Sequence, residues 1–364
     1  MSPAQRKGRR APKRAARAAA DSSVDLTRLL DVVSAFPRQT ICVIGDFVLD
    51  EFVSNEISRV SREAPVLILR HRRSELYPGG AANAVNNLAD LDARVLPVGV
   101  VGEDAGGRWL LDYFRHKRVD FSRILRVRDW VTTTKTRYLA GWTHTTEQQV
   151  LRVDREPAGE LPPRVLESIE RKARPAARRA AAVLVSDYGL GAAPPALVRK
   201  LAAKCITLDS RYRLLDYRDA GVTAATPNEP EIEAAYHERI GADLAKLEDL
   251  GRRAQRDLGA ACLVVTRGKD GVAVFENDSS EKRENPPAVR HIPIYGSGAP
   301  VDVAGAGDTV IAVFTLALAA GATCLEAAHL ANYAGGIVVM KRRTATLTRA
   351  ELESALRREA TAQR

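Results

Sequence analysis

The chain has no run of about 18 uninterrupted apolar residues and no apolar signal core at its start, so its sequence predicts neither a membrane span nor a leader. A cytoplasmic protein is the resulting expectation. Cysteine is scarce: Cys42, Cys205, Cys262 and Cys324 stand alone, and three of them lie in apolar β-like runs. That pattern predicts buried reduced thiols rather than disulfides or zinc ligands. None of the six histidines pairs at ligand spacing, which argues against a metal centre built on imidazoles. The strings GxxxxGK[ST], GxGxxG and GxSxG are all missing. Their absence argues against a P-loop nucleotidase, a dinucleotide-dependent dehydrogenase and an α/β-hydrolase. Any catalysis must then rest on carboxylates, backbone amides and cations.

What is present suits a large folded core: 364 residues, 45% of them hydrophobic. The net charge of +10 is mostly local, because residues 1–20 carry seven Arg or Lys and no acid, leaving about +3 for the rest. Residues 1–24 read as a disordered basic arm and 25–364 as the folded domain. Contact of the arm with nucleic acid is the minor reading, since no aromatics are interleaved for base stacking.

From Thr40 onward, β-branched runs (Ile41 to Ile44, Val95 to Val101, Val183 to Val185, Ile206 to Leu208, Leu263 to Thr266, Val272 to Phe275) alternate with helical patterns. This βα rhythm predicts a mostly parallel central sheet flanked by helices. Several runs end in polar tips (Asp46, Asp187, Asp209, Asn228, Thr266), and ligands of open α/β sheets sit at such carboxyl ends. Two segments, about 51–72 and 132–154, read as strands where crossover helices are expected, and predict a small β lid or an antiparallel sheet-edge extension.

Gly305-Ala306-Gly307-Asp308 opens a long apolar helical pattern, a place where backbone amides and the helix dipole converge on an anion. Asp308 is either a base for an attacking hydroxyl or simply a helix cap. Pro78 to Asn83 is a second glycine-rich helix entry, in which Gly79 and Gly80 allow close approach and Asn83 offers donor and acceptor to a polyol; Asp46 and Asp50 add acceptors. Asn228 and Glu231 have the spacing of a capping box and equally of a water-mediated Mg²⁺ contact. Thr266 to Gly271 reads as a hairpin turn with nucleotide contact as its functional reading.

Together, Gly79-Gly80 with Asn83 and the late Asp302 to Asp308 string resemble the ribokinase-like, or PfkB, carbohydrate kinases over roughly Thr40 to Glu353. The resemblance implies an ATP-dependent sugar kinase, with Asp308 as base and Gly305, Ala306 and Gly307 as anion hole. It also implies ATP and Mg²⁺ near Asn228, Glu231, Thr266, Arg267, Gly268, Gly271 and Asn332. Further strings (Gly45 to Asp50, Ser58 to Val66, Thr134 to Arg137, Gln148 to Asp154, Ser186 to Tyr188) are similar to the group that phosphorylates D-glycero-β-D-manno-heptose 7-phosphate at C1. That similarity implies a lid-mediated homodimer and sugar contacts at Asp46, Asp50, Gly79, Gly80, Asn83, Lys135, Gln149 and Asp187. Arg137, Arg152 and Arg211 are the expected grips on a distal phosphate. Asp209-Ser210-Arg211 departs from the group's Asp-Pro-Lys, and no His-x-Gly-His string is present, so a stand-alone kinase is expected. The rivals are a kinase of another sugar or nucleoside and a non-catalytic sugar-binding or nucleic-acid-associated protein.

Overall fold

The computed structural model describes residues 24–142, 147–277, 288–296 and 299–362, so the expected basic arm lies almost wholly outside the described residues. Helix α1 (Leu26–Ser34) leads into β1 (Thr40–Gly45), a long hairpin of β2 (Phe47–Val60) and β3 (Leu67–Gly80), then α2 (Ala81–Asp90). Next come β4 (Arg94–Gly102), α3 (Ala105–His116), β5 (Ile124–Val127), β6 (Thr134–Gly141) and β7 (Gln148–Arg155). The middle of the chain forms α4 (Pro163–Arg179), β8 (Ala182–Asp187), α5 (Pro195–Val198), β9 (Ile206–Ser210), β10 (Ala224–Ala225), α6 (Glu229–Tyr236) and α7 (Leu244–Leu258). The remainder is β11 (Cys262–Thr266), β12 (Val272–Glu276), β13 (Arg290–Ile292), α8 (Ala306–Ala319), α9 (Cys324–Val338) and α10 (Arg349–Ala362).

Nine strands form one sheet in the order β13-β12-β11-β10-β9-β8-β1-β4-β5, parallel from β11 to β5 and antiparallel only at the β12 and β13 edge. Side chains alternate faces along a strand, and the strands exploit it. Ile41 and Val43 of β1 join one apolar cluster with α1, α2, α3, α8, α9 and α10, whereas Cys42 and Ile44 join the opposite one with α4, α5, α6 and α7. Both faces are therefore buried, and each sealed aliphatic side chain contributes roughly 1.5–3 kcal/mol before its entropy cost. Helix α8 is buried from Asp308 to Ala317, packed between sheet and α9, with its first turn at the carboxyl ends of the strands. Thr315 of α8 and Thr207 of β9 share a buried hydroxyl contact of 2.6 Å, and each also reaches a backbone carbonyl, Ile311 O and Val183 O, so both polar groups are satisfied.

The second sheet has the order β3-β2-β6-β7. Its hairpin is longer than the sequence pattern suggested, running from Phe47 to Gly80, and Asp50 stands on β2 rather than at the tip of the first strand. The segments read as strands, about 51–72 and 132–154, fall in this sheet, but the start of β2 does not alternate: Phe47, Val48, Leu49, Phe52 and Val53 are all buried, as its base is covered on both sides.

The cysteine expectation needs correction. Cys262 at the start of β11 and Cys324 at the start of α9 form a disulfide, with Cα atoms 6.2 Å apart. They are 62 residues apart in sequence, and only the packing of both on one apolar cluster brings them together. Cys42 and Cys205 are free thiols, as expected.

Candidate active site

Helix α8 starts at Gly305, whose φ of +76° lies in the left-handed region that glycine adopts without a Cβ penalty. A side chain there would also strike Asn83 Nδ2 at 2.6 Å and Thr344 Cγ2 at 2.6 Å. Asp308 follows in the first turn but does not cap the helix. Its carboxylate accepts from Asn83 Nδ2 at 3.0 Å and from the Tyr188 hydroxyl at 2.7 Å. Asn83, in the first turn of α2, also donates to Gly305 O at 3.2 Å, and its own Oδ1 accepts from Asn87, whose Oδ1 accepts from Thr309. Two helix N-termini are thus locked face to face by a buried amide relay.

The electrostatics of Asp308 follow from that enclosure. Burial pushes its pKa up to about 7, the charge of Asp209 pushes the same way, and the Asn83 and Tyr188 hydrogen bonds hold it back. A carboxyl poised near neutrality, beside backbone amides of a helix start, is suited to take a proton from a hydroxyl as an anion forms next to it. Tyr188 itself is held far above the usual phenol range by burial and by Asp308, so it remains a donor. Tyr188 carries no signal of this role in the sequence, since no local pattern marks a contact formed across 120 positions.

Two cavities meet at this turn. One, of about 190 Å³, is lined by Gly268, Gly271, Val272, Ala306, Val310 and Asn332 among others, and is mostly apolar, a fit for an aromatic base. The other, of about 240 Å³, is polar and lined by Asp209, Arg211, Asn228, Glu231, Gly305 and Asp308 among others. Gly307 and Thr266 line both, and a Cβ on Gly307 would meet nothing within 4 Å. The Thr266 to Gly271 segment is indeed a hairpin turn between β11 and β12. Asn332 donates to Pro293 O at 2.7 Å.

Asn228 and Glu231 form a complete capping box, with bonds of 2.8 and 2.9 Å, while both side chains still line the polar cavity. Asp209 faces Glu231, and both carboxyls are raised, by burial first and, for Asp209, by the charge of Glu231 next. Two carboxyls that resist sharing negative charge form a place for a hydrated cation, and Mg²⁺ fits that donor set.

On the side of the second sheet, Asp50 accepts from Arg137 Nη1 at 2.6 Å and from Thr344 Oγ1 at 3.1 Å. Gly79 packs on that carboxylate, where a Cβ would come within 2.8 Å of Oδ2, and Gly80 has φ +56° with Asp46 O in its way. Lys135 Nζ lies 5.0 Å from the centre of the Tyr188 ring. Asp50, Gly79, Gly80, Asn83, Lys135 and Arg137 therefore gather with Asp308.

Four residues singled out in the sequence are engaged elsewhere. Asp46 accepts from the backbone N–H groups of Tyr188, Leu190 and Ala192, at 2.8 to 3.0 Å, and so anchors the loop carrying Tyr188. Asp187 is consumed by Gly189 N, Ser210 Oγ and Arg213 Nη2. Arg267 pairs with Glu229 at 2.9 Å. Arg152 pairs with Asp154 on the exposed strand β7. Strand-tip acids read from sequence as ligand contacts are, in these cases, the acceptors that stop buried loops from losing backbone hydrogen bonds. Gln149 lies apart from Asp308, lining a third cavity in the lid.

The family described as pfkB family carbohydrate kinase matches residues 38–350. Relatives include the bifunctional protein HldE of Desulfatibacillum aliphaticivorans, 37% identical over 89% of this chain and 64% of its own length. The bifunctional protein HldE of Mesorhizobium japonicum is 37% identical over 89% of this chain and 63% of its own. The chain thus spans a little under two thirds of these relatives. Similar structures include Arabidopsis thaliana ribokinase complexed with ribose and ATP (TM-score 0.64, 17% identity, 87% of this chain and 98% of that one). Escherichia coli phosphofructokinase-2 in complex with substrates and products gives a TM-score of 0.69 at 14% identity, over 88% of this chain and 99% of that one.

Proposed function

The chain belongs to the pfkB family of carbohydrate kinases and is a phosphotransferase acting on a sugar hydroxyl, and we propose that its acceptor is D-glycero-β-D-manno-heptose 7-phosphate, phosphorylated by ATP at C1. The product is the 1,7-bisphosphate, a precursor of ADP-heptose and lipopolysaccharide. The observation carrying this reading is the Asp308 carboxylate, given only the neutral donors Asn83 and Tyr188, at a helix start where an apolar and a polar cavity meet. The relatives named HldE support the choice of acceptor.

In this mechanism Asp308 takes the proton of the C1 hydroxyl. The sugar oxygen forms its bond to the γ-phosphorus while the bond to the β,γ-bridging oxygen breaks and ADP leaves. The start of α8, from Gly305 through Ala306 to Gly307, presents its free amides to the charge on the equatorial oxygens, while the Ala306 N–H is bonded to Val303 O at 3.3 Å. Asn83 and Tyr188 hold Asp308 in the orientation its reacting lone pair needs. Asp50, Gly79 and Gly80 flank the sugar, the nucleobase occupies the cavity by Asn332, and Glu231 with Asp209 would hold Mg²⁺. The metal supplies neutralisation of phosphate charge.

We further propose a homodimer through the lid, whose hairpin and outer strand expose Val60, Val66, Leu67, Leu151 and Val153 at 45–60%. No helix among the described residues is long and apolar enough to cross a membrane, in keeping with a cytoplasmic location. Arg211 in place of lysine favours, as a second reading, a kinase of another sugar with the same catalytic residues. The test is turnover of ATP with heptose 7-phosphate against a panel of hexoses, pentoses and nucleosides, with the new phosphate located by phosphorus NMR. A second phosphate on C1 is expected; turnover of other sugars alone refutes the heptose assignment.

A further inference from the structure

Asp46 sits between β1 and β2, 3% exposed, and touches both elements that hold the Asp308 carboxylate. Its backbone carbonyl accepts from Ala81 N at 3.0 Å, at the start of the helix that carries Asn83. Its N–H donates to Ser186 O of β8 at 3.1 Å. Its carboxylate reaches the loop that follows β8: Oδ2 accepts from Tyr188 N at 2.8 Å and Leu190 N at 3.0 Å, and Oδ1 accepts from Ala192 N at 2.9 Å. Asp187, at the end of β8, takes the intervening Gly189 N at 2.9 Å. Nearly every N–H from Tyr188 to Ala192 is therefore spent on one of two buried carboxylates.

The loop has the backbone of an anion nest. Gly189 and Gly191 have φ of +81° and +93°, and the alternation of such residues with ordinary ones turns neighbouring N–H groups toward one concavity. Here the anion is the protein's own side chain. Gly189 is exposed and Leu190 and Gly191 are half-buried, so apolar packing contributes little and the shape of the loop depends on these bonds. Burial pushes Asp46 up to about 6, and Asp187, itself paired with Arg213, pushes the same way; the three N–H bonds hold it back, so that above pH 7 it is mainly a carboxylate.

We propose that Asp46 is a positioning residue for phosphoryl transfer: it fixes the loop so that the Tyr188 hydroxyl stays on Asp308, 2.7 Å away, and thereby sets the orientation of the base. This role rests on the reading of Asp308 as the base and deepens it. Asp46→Asn keeps the backbone bonds, and with them the Asn83 side of the clamp, but offers one acceptor oxygen instead of two and turns an NH₂ group toward N–H donors. Either Ala192 or the pair Tyr188 and Leu190 then loses its bond, the loop relaxes, and Asp308 keeps Asn83 alone. The sign of the effect on Asp308 separates this role from simple electrostatics. Deleting a nearby negative charge lowers a carboxyl pKa, whereas deleting a hydrogen-bond donor to the carboxylate raises it.

The test follows kcat/KM against pH, with the sugar that the wild type turns over best, in wild type, Tyr188→Phe, Asp46→Asn and the double variant, the folding of each being checked by thermal unfolding. Asp46→Asn is expected to raise the midpoint by about one pH unit, near the worth of a hydrogen bond to a charged group, and to lower kcat about tenfold with KM for ATP unchanged. The double variant is expected to share the midpoint of Tyr188→Phe, because the same bond cannot be lost twice. Where Asp46→Asn does not fold, Gly191→Ala decides: it strains the loop at φ +93°, has only Leu161 near its added methyl, leaves Asp46 in place, and should raise the midpoint by a smaller amount. A midpoint that falls or stays in folded Asp46→Asn, or in Gly191→Ala where the first fails to fold, overturns the role, as does a double variant whose shifts add. If Tyr188→Phe moves the midpoint and the loop variants do not, Asp308 stands as the base and Asp46 is only structural. If Tyr188→Phe leaves it unmoved as well, both readings fall.

Discussion

Asp308 on the floor of the cleft and Asp50 at the base of the lid are equally buried, 3% and 5% exposed, yet they are partnered in opposite ways. Asp50 is given a cation, Arg137, and a hydroxyl; Asp308 is given an amide and a phenol, both neutral. A buried ion pair is a fixed strut, and breaking it by removing one partner strands the other charge. A buried carboxylate that meets only neutral donors keeps its desolvation cost and hence its appetite for a proton. The body holds Asp308 under electrostatic tension, while Asp50 and Arg137 at the base of the lid neutralise one another.

The largest effect expected from that contrast comes from Asp308→Asn, which should lower kcat by about 10²–10⁴-fold, the usual worth of a positioned base, with sugar and ATP binding retained. Its stability should not fall at pH 8. Because Asp308 is raised in the folded state, its ionisation opposes folding, and this penalty grows as pH rises from about 4 to about 7. Asp50→Ala should do the reverse, costing about 3 kcal/mol of stability in thermal unfolding by stranding Arg137, a partly buried cation.

The two glycines of the turn offer a sharper division. Gly305→Ala must adopt a positive φ and displace Asn83, so both stability and turnover should fall. Gly307→Ala sits in a helix with open space before it, so stability should hold or rise by up to about 1 kcal/mol while KM for ATP rises roughly tenfold from the methyl in both cavities. If Gly307→Ala is kinetically silent, the nucleotide does not cross that turn. At the small end, Arg152→Ala breaks an exposed pair and should change melting stability by less than about 0.5 kcal/mol, with kinetic constants unmoved.

The central sheet was legible because its strands are buried on both faces, and continuous β-branched runs with helical spacing between them leave few alternatives. The glycine-rich turn was legible for the same kind of reason: Gly305 needs its backbone conformation whatever the ligand. What the sequence hid were partnerships. Asp46 and Asp187 look like free acids at strand tips, but whether such an acid meets a sugar or a loop amide depends on residues far along the chain. Tyr188 against Asp308, Cys262 against Cys324 and Arg343 against Ser54 and Glu147 are contacts of this kind, set by the packing of distant elements.

The most direct test of Asp308 as base is the pH dependence of kcat/KM in the wild type, Tyr188→Phe and Asp209→Asn. Activity should rise with pH through about 7 in the wild type, as Asp308 loses its proton. The midpoint should move up in Tyr188→Phe, which removes a donor to the carboxylate, and down in Asp209→Asn, which removes a repelling charge. A midpoint that stays fixed in both variants would contradict the assignment, since the titrating group would then be neither bonded to Tyr188 nor within reach of Asp209.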